Sequence, residues 1–262
     1  VRGAILAAQK HEKDTRWNLL DHFIRGIKVV NPDIVSMENV RGVTKTDVFK
    51  HFVRDLKDLG YKVDWKVVYA PNYGVPQNRS RLILLASKLG EILIPKETHN
   101  KDTYVTVGDV IRELPKLSAG EASKQDRLHQ AKKLEPINQK RILQSKPGGN
   151  WRDWDKRLLP NCYKKDSGQT YTSVYGRMSW GEVSPTITTQ FTSYGSGRFG
   201  HPEQNRALSI REGALLQTFP LNYDFGNFPA GKLSRHIGNA VPPQLGIVIG
   251  KQIKAHLEKY GR

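Results

Sequence analysis

Ile34-Val35-Ser36-Met37-Glu38-Asn39-Val40 opens as a short apolar run of the kind a buried strand needs and ends polar. Its flanks settle the class of fold. Before it, residues 15–30 carry Leu19, Leu20, Phe23, Ile24 and Ile27 at helical spacing, an apolar stripe closed by Asn31-Pro32-Asp33. After it, Thr46 stands as an N-cap for a second helix with Phe49, Phe52, Val53, Leu56 and Leu59 turned inward, and Gly60 stops that helix. Strands are expected around Tyr61–Tyr69 and Leu82–Ala86, joined by the loop Ala70–Arg81. Residues 15–87 thus alternate helix, strand, helix, strand, strand, an α/β pattern. It opens on a helix and holds no glycine-rich strand-to-helix turn, the usual start of a complete cofactor-binding α/β domain.

Composition changes beyond about residue 95. Residues 96–205 are polar, basic and irregular, with Trp151, Trp154 and Trp180 among many Gly, Ser and Thr. Only Thr106–Leu114 and Gln125–Gln144 look helical there. This reads as a second, smaller domain rich in loops and short strands. Residues 206–262 become regular again and end in a helix after Pro242-Pro243, with Leu245, Ile249, Ile253 and Leu257 four apart on one face. The division expected is 1–95, 96–205, and a return segment 206–262 packing back on the first domain.

The 262 residues carry 42 Lys and Arg against 25 Asp and Glu, a formal charge of +17. Such an excess favours a polyanionic partner, because each neutralised phosphate releases counterions; the other reading is a merely soluble basic protein. A single cysteine, Cys162, excludes a disulfide framework within the chain and a zinc site built on several cysteines, and fits a reducing cytosol. No histidine pair has metal-ligand spacing on one helix, so no metal is expected. No apolar run approaches the roughly 20 residues that span a bilayer, and the apolar stretch near the start is too short for a signal peptide. The chain opens on Val1, which suggests that it begins inside a longer protein.

Four segments, in order, carry a resemblance: Met37-Glu38-Asn39-Val40 at a strand end; Tyr73-Gly74-Val75-Pro76-Gln77-Asn78-Arg79-Ser80-Arg81 before a strand; Leu208 through Pro220, with Arg211-Glu212 and Gln217-Thr218-Phe219-Pro220; and Ile237-Gly238-Asn239-Ala240-Val241-Pro242-Pro243. All four in this order, with a variable basic region between the second and third, resemble the DNA cytosine-5 methyltransferase family over nearly the whole chain. The fold implied is a partial Rossmann-like sheet of the S-adenosylmethionine-dependent methyltransferases plus a smaller target-recognition domain. The place implied is the bacterial cytoplasm or nucleoid, in restriction-modification.

The resemblance implies residue roles. In that family a thiolate adds to cytosine carbon-6 and makes carbon-5 nucleophilic toward the methyl of S-adenosylmethionine, on a base flipped out of double-stranded DNA. Glu38 matches the acid that hydrogen-bonds ring nitrogen 3; donating there requires a proton, so a buried carboxyl with a raised pKa is expected. Arg81 matches the contact to the base carbonyl, and Arg79 the residue that orders the site or holds a phosphate; spaced i, i+2, both point to one side of an extended segment. Asn239 matches the residue facing S-adenosylmethionine, with Ala240 and Val241 as the adjacent wall. Arg211 and Glu212 look structural. Arg152, Lys156, Arg157, Lys164, Lys165, Arg177 and Arg198 are candidates for DNA contacts; the alternative for each is a solvated surface charge.

Two family elements are absent from the sequence: the Pro-Cys-Gln turn whose cysteine attacks the base, and the glycine-rich N-terminal cofactor motif. Cys162, in Leu159-Pro160-Asn161-Cys162-Tyr163-Lys164-Lys165, does not resemble that turn. The expectation is therefore the C-terminal part of an enzyme, needing an N-terminal half in the same chain or a separate subunit. The alternative is a non-catalytic DNA-binding subunit or a decayed paralogue.

Overall fold

The computed structural model describes residues 19–165, 168, 172 and 174–261. It divides into two compact units: one holds residues 19–69, 80–96 and 247–261, the other 70–79 and 97–246 of those described. Residues 206–262 are thereby shared between the two, with the division falling after Gly246.

The first unit follows the chain closely. Helix α1 (Leu19–Val30), strand β1 (Ile34–Val40), helix α2 (Asp47–Asp58), strand β2 (Lys62–Tyr69) and strand β3 (Ser80–Ser87) appear in that order. The expected start of α1 at residues 15–18 lies outside the described residues. Thr46 caps α2, its side chain accepting the Phe49 N–H, and Gly60 leaves the helix at φ +88°, where a side chain would be strained. The stripe on α1 is narrower than its apolar residues suggest: Leu20, Ile24 and Ile27 are buried, whereas Leu19 and Phe23 are exposed. Phe23 instead stacks on Phe52 at 5.6 Å.

The sheet order is β1-β3-β2, and both pairings are antiparallel. β3 is central and buried on both faces. Leu82, Leu84 and Ala86 join Val35, Met37 and the apolar faces of α1 and α2 in one core; Ile83 and Leu85 point the other way and are equally buried. Each buried Leu, Ile, Val or Met side chain among them contributes roughly 2 kcal/mol relative to exposure. On that second face Ser87 Oγ lies 2.8 Å from His256 Nε2, which ties the C-terminal part of the last helix to the sheet.

The second unit is built from short helices and turns: α3 (Val107–Ile111), α4 (Pro136–Gln144), α5 (Ile210–Leu216), α6 (Ala230–Asn239) and the start of α7 (Pro243–Lys259), with several 3-10 turns between. The expected short strands are, among the described residues, isolated bridges such as Arg177 with Gly200 and Gly200 with Ala207. The helix expected over Gln125–Gln144 forms only from Pro136. Residues 121–131 make a small turn-back instead: Asp126 Oδ1 accepts the Leu128 N–H, the Asp126 carbonyl accepts the His129 N–H, and Ala131 N–H reaches the Glu121 carbonyl. Side-chain capture of its own backbone diverts Asp126 from the helix, and Pro136 disfavours a helical residue before it.

Among the described residues, two cores stand out in this unit. One gathers Phe191, Phe199, Leu208, Leu216, Leu233 and Ile237. The other is aromatic, around Trp151, Trp154, Tyr163 and Tyr194, with Trp151 and Tyr163 stacked at 4.7 Å. Among the described residues no helix is long and apolar enough to cross a membrane.

Candidate active site

In the first unit Glu38 and Arg81 meet. The β1–β3 register sets Val40 opposite Arg81 and Glu38 opposite Ile83. Glu38 and Arg81 are therefore diagonal neighbours on one face, within reach of long side chains. Arg81 Nε lies 3.0 Å from Glu38 Oε1, with the side chains 18% and 21% exposed. Arg81 Nη1 also donates to the Ser80 carbonyl at 2.8 Å. Burial pushes the Arg81 guanidinium below its ordinary pKa, and the charge and hydrogen bond of Glu38 oppose that. Glu38, for which a buried site is expected, is half-buried as a residue; its Oε1 is shielded from solvent and stands beside a cation.

Arg79, two residues before Arg81, belongs to the second unit. It is buried, and its Nη2 donates to the Ala240 carbonyl at 3.1 Å. Its guanidinium is thus turned to a carbonyl of the protein rather than to solvent. Its neighbour Gln77 is also buried: Nε2 donates to Gln217 Oε1 at 2.8 Å, and Oε1 accepts the Ile187 N–H at 3.0 Å. Gln217 in turn donates to the Ile237 carbonyl at 2.5 Å and the Ala240 carbonyl at 3.3 Å. Gln77 and Gln217 do not stand out in the sequence, since each sits between one apolar and one polar neighbour, Pro76 and Asn78 or Leu216 and Thr218. Asn239 and Val241 are exposed and Ala240 is half-buried.

The basic candidates separate. Arg152, Lys156, Arg157, Lys164, Lys165 and Arg198 are exposed. Arg157 is bound through Nε and Nη2 by Asp155, and the hydrogen bonds it gives that carboxyl bring Asp155 to about 2. Arg177 is a correction. It is 4% exposed, and its guanidinium donates to the carbonyls of Ser145, His201, Gln204 and Ile142 and to Asn205 Oδ1. Such a set ties residues 142–145 and 201–205 to the Arg177 segment inside the unit and leaves nothing to offer a phosphate.

Arg211 and Glu212 are structural in their contacts. Arg211 Nε and Nη2 reach Asp126 at 2.5 and 3.1 Å. His129 Nε2 faces the Pro115 carbonyl at 2.7 Å, so in the neutral ring it carries the proton, and Nδ1 is left to accept from Ser209 Oγ at 3.0 Å.

The fold resembles solved methyltransferases. A prophage-encoded E. coli protein described as a DNA modification methyltransferase aligns with TM-score 0.65 over 94% of this chain and 75% of its own, at 21% identity. A variant of Spodoptera frugiperda DNMT2 aligns with TM-score 0.54 over 85% and 66%, at 16% identity. The chain belongs to the C-5 cytosine-specific DNA methylase family, whose model matches residues 4–255. It is 51% identical over 258 residues to the Type II methylase M.HgiDII of Herpetosiphon aurantiacus, covering 95% of this chain and 72% of that protein. It is 34% identical to the Type II methyltransferase M1.HphI of Haemophilus parahaemolyticus, covering 92% of this chain but 61% of that protein. The chain thus spans less than two thirds of the length of some relatives it matches.

Proposed function

We propose that these residues serve methyl transfer from S-adenosylmethionine to carbon-5 of a cytosine flipped out of double-stranded DNA, with Glu38 and Arg81 as the groups that hold and polarise the base. The observation that carries this reading is the Glu38–Arg81 pair, seated side by side at one end of the sheet in a chain of this family. Nucleophilic addition at carbon-6 sends electron density toward ring nitrogen 3 and the carbonyl oxygen. A carboxylic acid and a guanidinium side by side match that pair of acceptors. In the free protein each occupies the other. The base must part them: Arg81 exchanges the carboxyl for the carbonyl oxygen, and Glu38, released from the cation, takes up the proton it donates to nitrogen 3.

S-adenosylmethionine supplies an electrophilic methyl when bound. The exposed Asn239 amide, a donor and acceptor beside the apolar Val241, suits one edge of such an amphiphilic molecule. The attacking thiolate is not Cys162, which is exposed in the second unit and lacks the family's sequence context. It comes from a Pro-Cys-Gln segment outside these 262 residues, in the same protein or a partner subunit. Arg152, Lys156, Lys164, Lys165 and Arg198, with Arg157 contributing less, meet the DNA.

The test is to incubate the full-length protein with methyl-labelled S-adenosylmethionine and duplex DNA and to digest the DNA to nucleosides. Label is expected in 5-methylcytosine; label in a methylated exocyclic amine overturns the reading. Glu38→Gln should lower kcat by about 100-fold or more. The 262-residue chain by itself should transfer nothing, and turnover by it overturns the claim of an outside thiolate.

A further inference from the structure

We propose that Arg79 and Gln217 are positioning residues that fix the Asn239-Ala240-Val241 edge and thereby set the affinity for the adenosyl cofactor. The inference rests on the reading that this edge faces the cofactor.

A helix leaves its last four carbonyls without partners inside the helix. At the end of α6 the backbone supplies one bond, from the Ala240 N–H to the Ile237 carbonyl at 3.2 Å. Two side chains from distant segments add to it: Gln217 Nε2 donates to the carbonyls of Ile237 and of the capping residue Ala240, and Arg79 Nη2 to that of Ala240. Gln77 closes the set by donating to Gln217 Oε1 and accepting from Ile187 N–H. Gln77, Arg79 and Gln217 are all buried.

The surroundings press the same edge from two sides. After α5 the chain turns through Thr218 at φ +67°, with Thr218 N–H on the Leu215 carbonyl at 2.8 Å and Phe219 N–H on the Ala214 carbonyl at 3.0 Å. This six-to-one turn normally uses glycine; holding a β-branched residue there costs about 1–2 kcal/mol, and the turn fixes where the adjoining Gln217 starts. On the other side, a Cβ built on Gly238 falls 2.4 Å from the Thr188 carbonyl carbon. Moving the edge would break several buried hydrogen bonds together, and a half-satisfied buried network is costly. Its backbone is fixed while Asn239 and Val241 project into solvent, the arrangement in which a ligand meets a pre-organised surface.

The experiment measures S-adenosylhomocysteine binding by calorimetry on the full-length protein and on Arg79→Lys, Gln217→Leu and Asn239→Ala, with duplex DNA affinity and thermal midpoint measured on each. Arg79→Lys and Gln217→Leu should each weaken S-adenosylhomocysteine by about tenfold while DNA affinity holds, since the DNA contacts lie in the same unit and report its folding. Asn239→Ala should weaken it as a lost direct contact. If Asn239→Ala weakens binding and the other two do not, the positioning role is overturned. If affinity for DNA falls in step with affinity for S-adenosylhomocysteine, the role is merely structural and the proposal fails. No change in Asn239→Ala, or no binding by the unsubstituted protein, overturns the cofactor reading itself.

Discussion

Arg206 and Glu212 form a doubly hydrogen-bonded ion pair with neither side chain exposed: Nη2–Oε1 is 2.6 Å and Nη1–Oε2 2.8 Å. Glu212 also accepts the Ser209 N–H at 2.7 Å, and Ser209 Oγ accepts the Glu212 N–H, a capping box at the start of α5. Burial alone would raise the Glu212 pKa, but the hydrogen bonds and charge of Arg206 bring it below the ordinary value. Its contribution to stability is therefore complete above the unfolded carboxylate range and is lost as pH falls through the folded pKa. Glu212→Ala, which strands a buried guanidinium, should destabilise by about 3–5 kcal/mol in urea unfolding. Replacing both partners with apolar residues should cost less than Glu212→Ala alone.

His201 lies beside this pair. Its Nδ1 accepts backbone N–H groups from Glu203 and Gln204 at 3.2 and 2.9 Å, and its ring meets Trp180 edge-on at 5.2 Å. Burial is the main cause that lowers its pKa to about 4, with Glu212 opposing. The unfolded chain takes up this proton near 6.5 and the folded protein does not until about 4. Stability from this group is thus present above pH 6.5 and is lost as pH falls toward 4, by about 3 kcal/mol in all. His201→Asn keeps an acceptor near Nδ1 and removes the titration; unfolding free energy measured between pH 7 and 4.5 should then fall less steeply. An unchanged slope refutes the assignment.

Exposed and buried arginines should separate in DNA binding. Arg152→Ala and Lys165→Ala should each lower the slope of log affinity against log salt by about 1. Arg157→Ala should change it less, because Asp155 already neutralises that charge. Arg177→Lys should instead destabilise the unit by about 2 kcal/mol or more through lost buried hydrogen bonds and leave the slope of the folded protein unchanged.

Gly238→Ala should destabilise by about 1–3 kcal/mol, because the added methyl meets backbone atoms of Thr188 and Thr189 rather than a movable side chain. Gly246→Ala, where nothing lies within 4 Å of the added methyl, should be neutral or slightly stabilising within α7, and thermal midpoints of the two compare them directly.

The order of elements in the first unit was legible because its signals are local: the run Ile34–Met37, the Thr46 cap, the Gly60 stop, the apolar β3. The motifs carrying Glu38, Arg81 and Asn239 were legible in the same way, as strings of residues. Less was readable where distant side chains decide. Asp126 left its helix for a turn and for Arg211, 85 residues on. Leu19 belonged to the apolar stripe by spacing but not by contact.

The sequence by itself determined the family, the sheet segments and the chemistry of the residues at hand, since these depend on residue type at close spacing. Only the tertiary structure decided what each cation does. Register set Arg81 beside Glu38, burial turned Arg177 inward as a clasp, and Arg79 found the carbonyl at the end of α6. An arginine in a sequence is a charge with five donors; whether it meets a phosphate, a carboxylate or a carbonyl depends on which groups the fold strips of water around it.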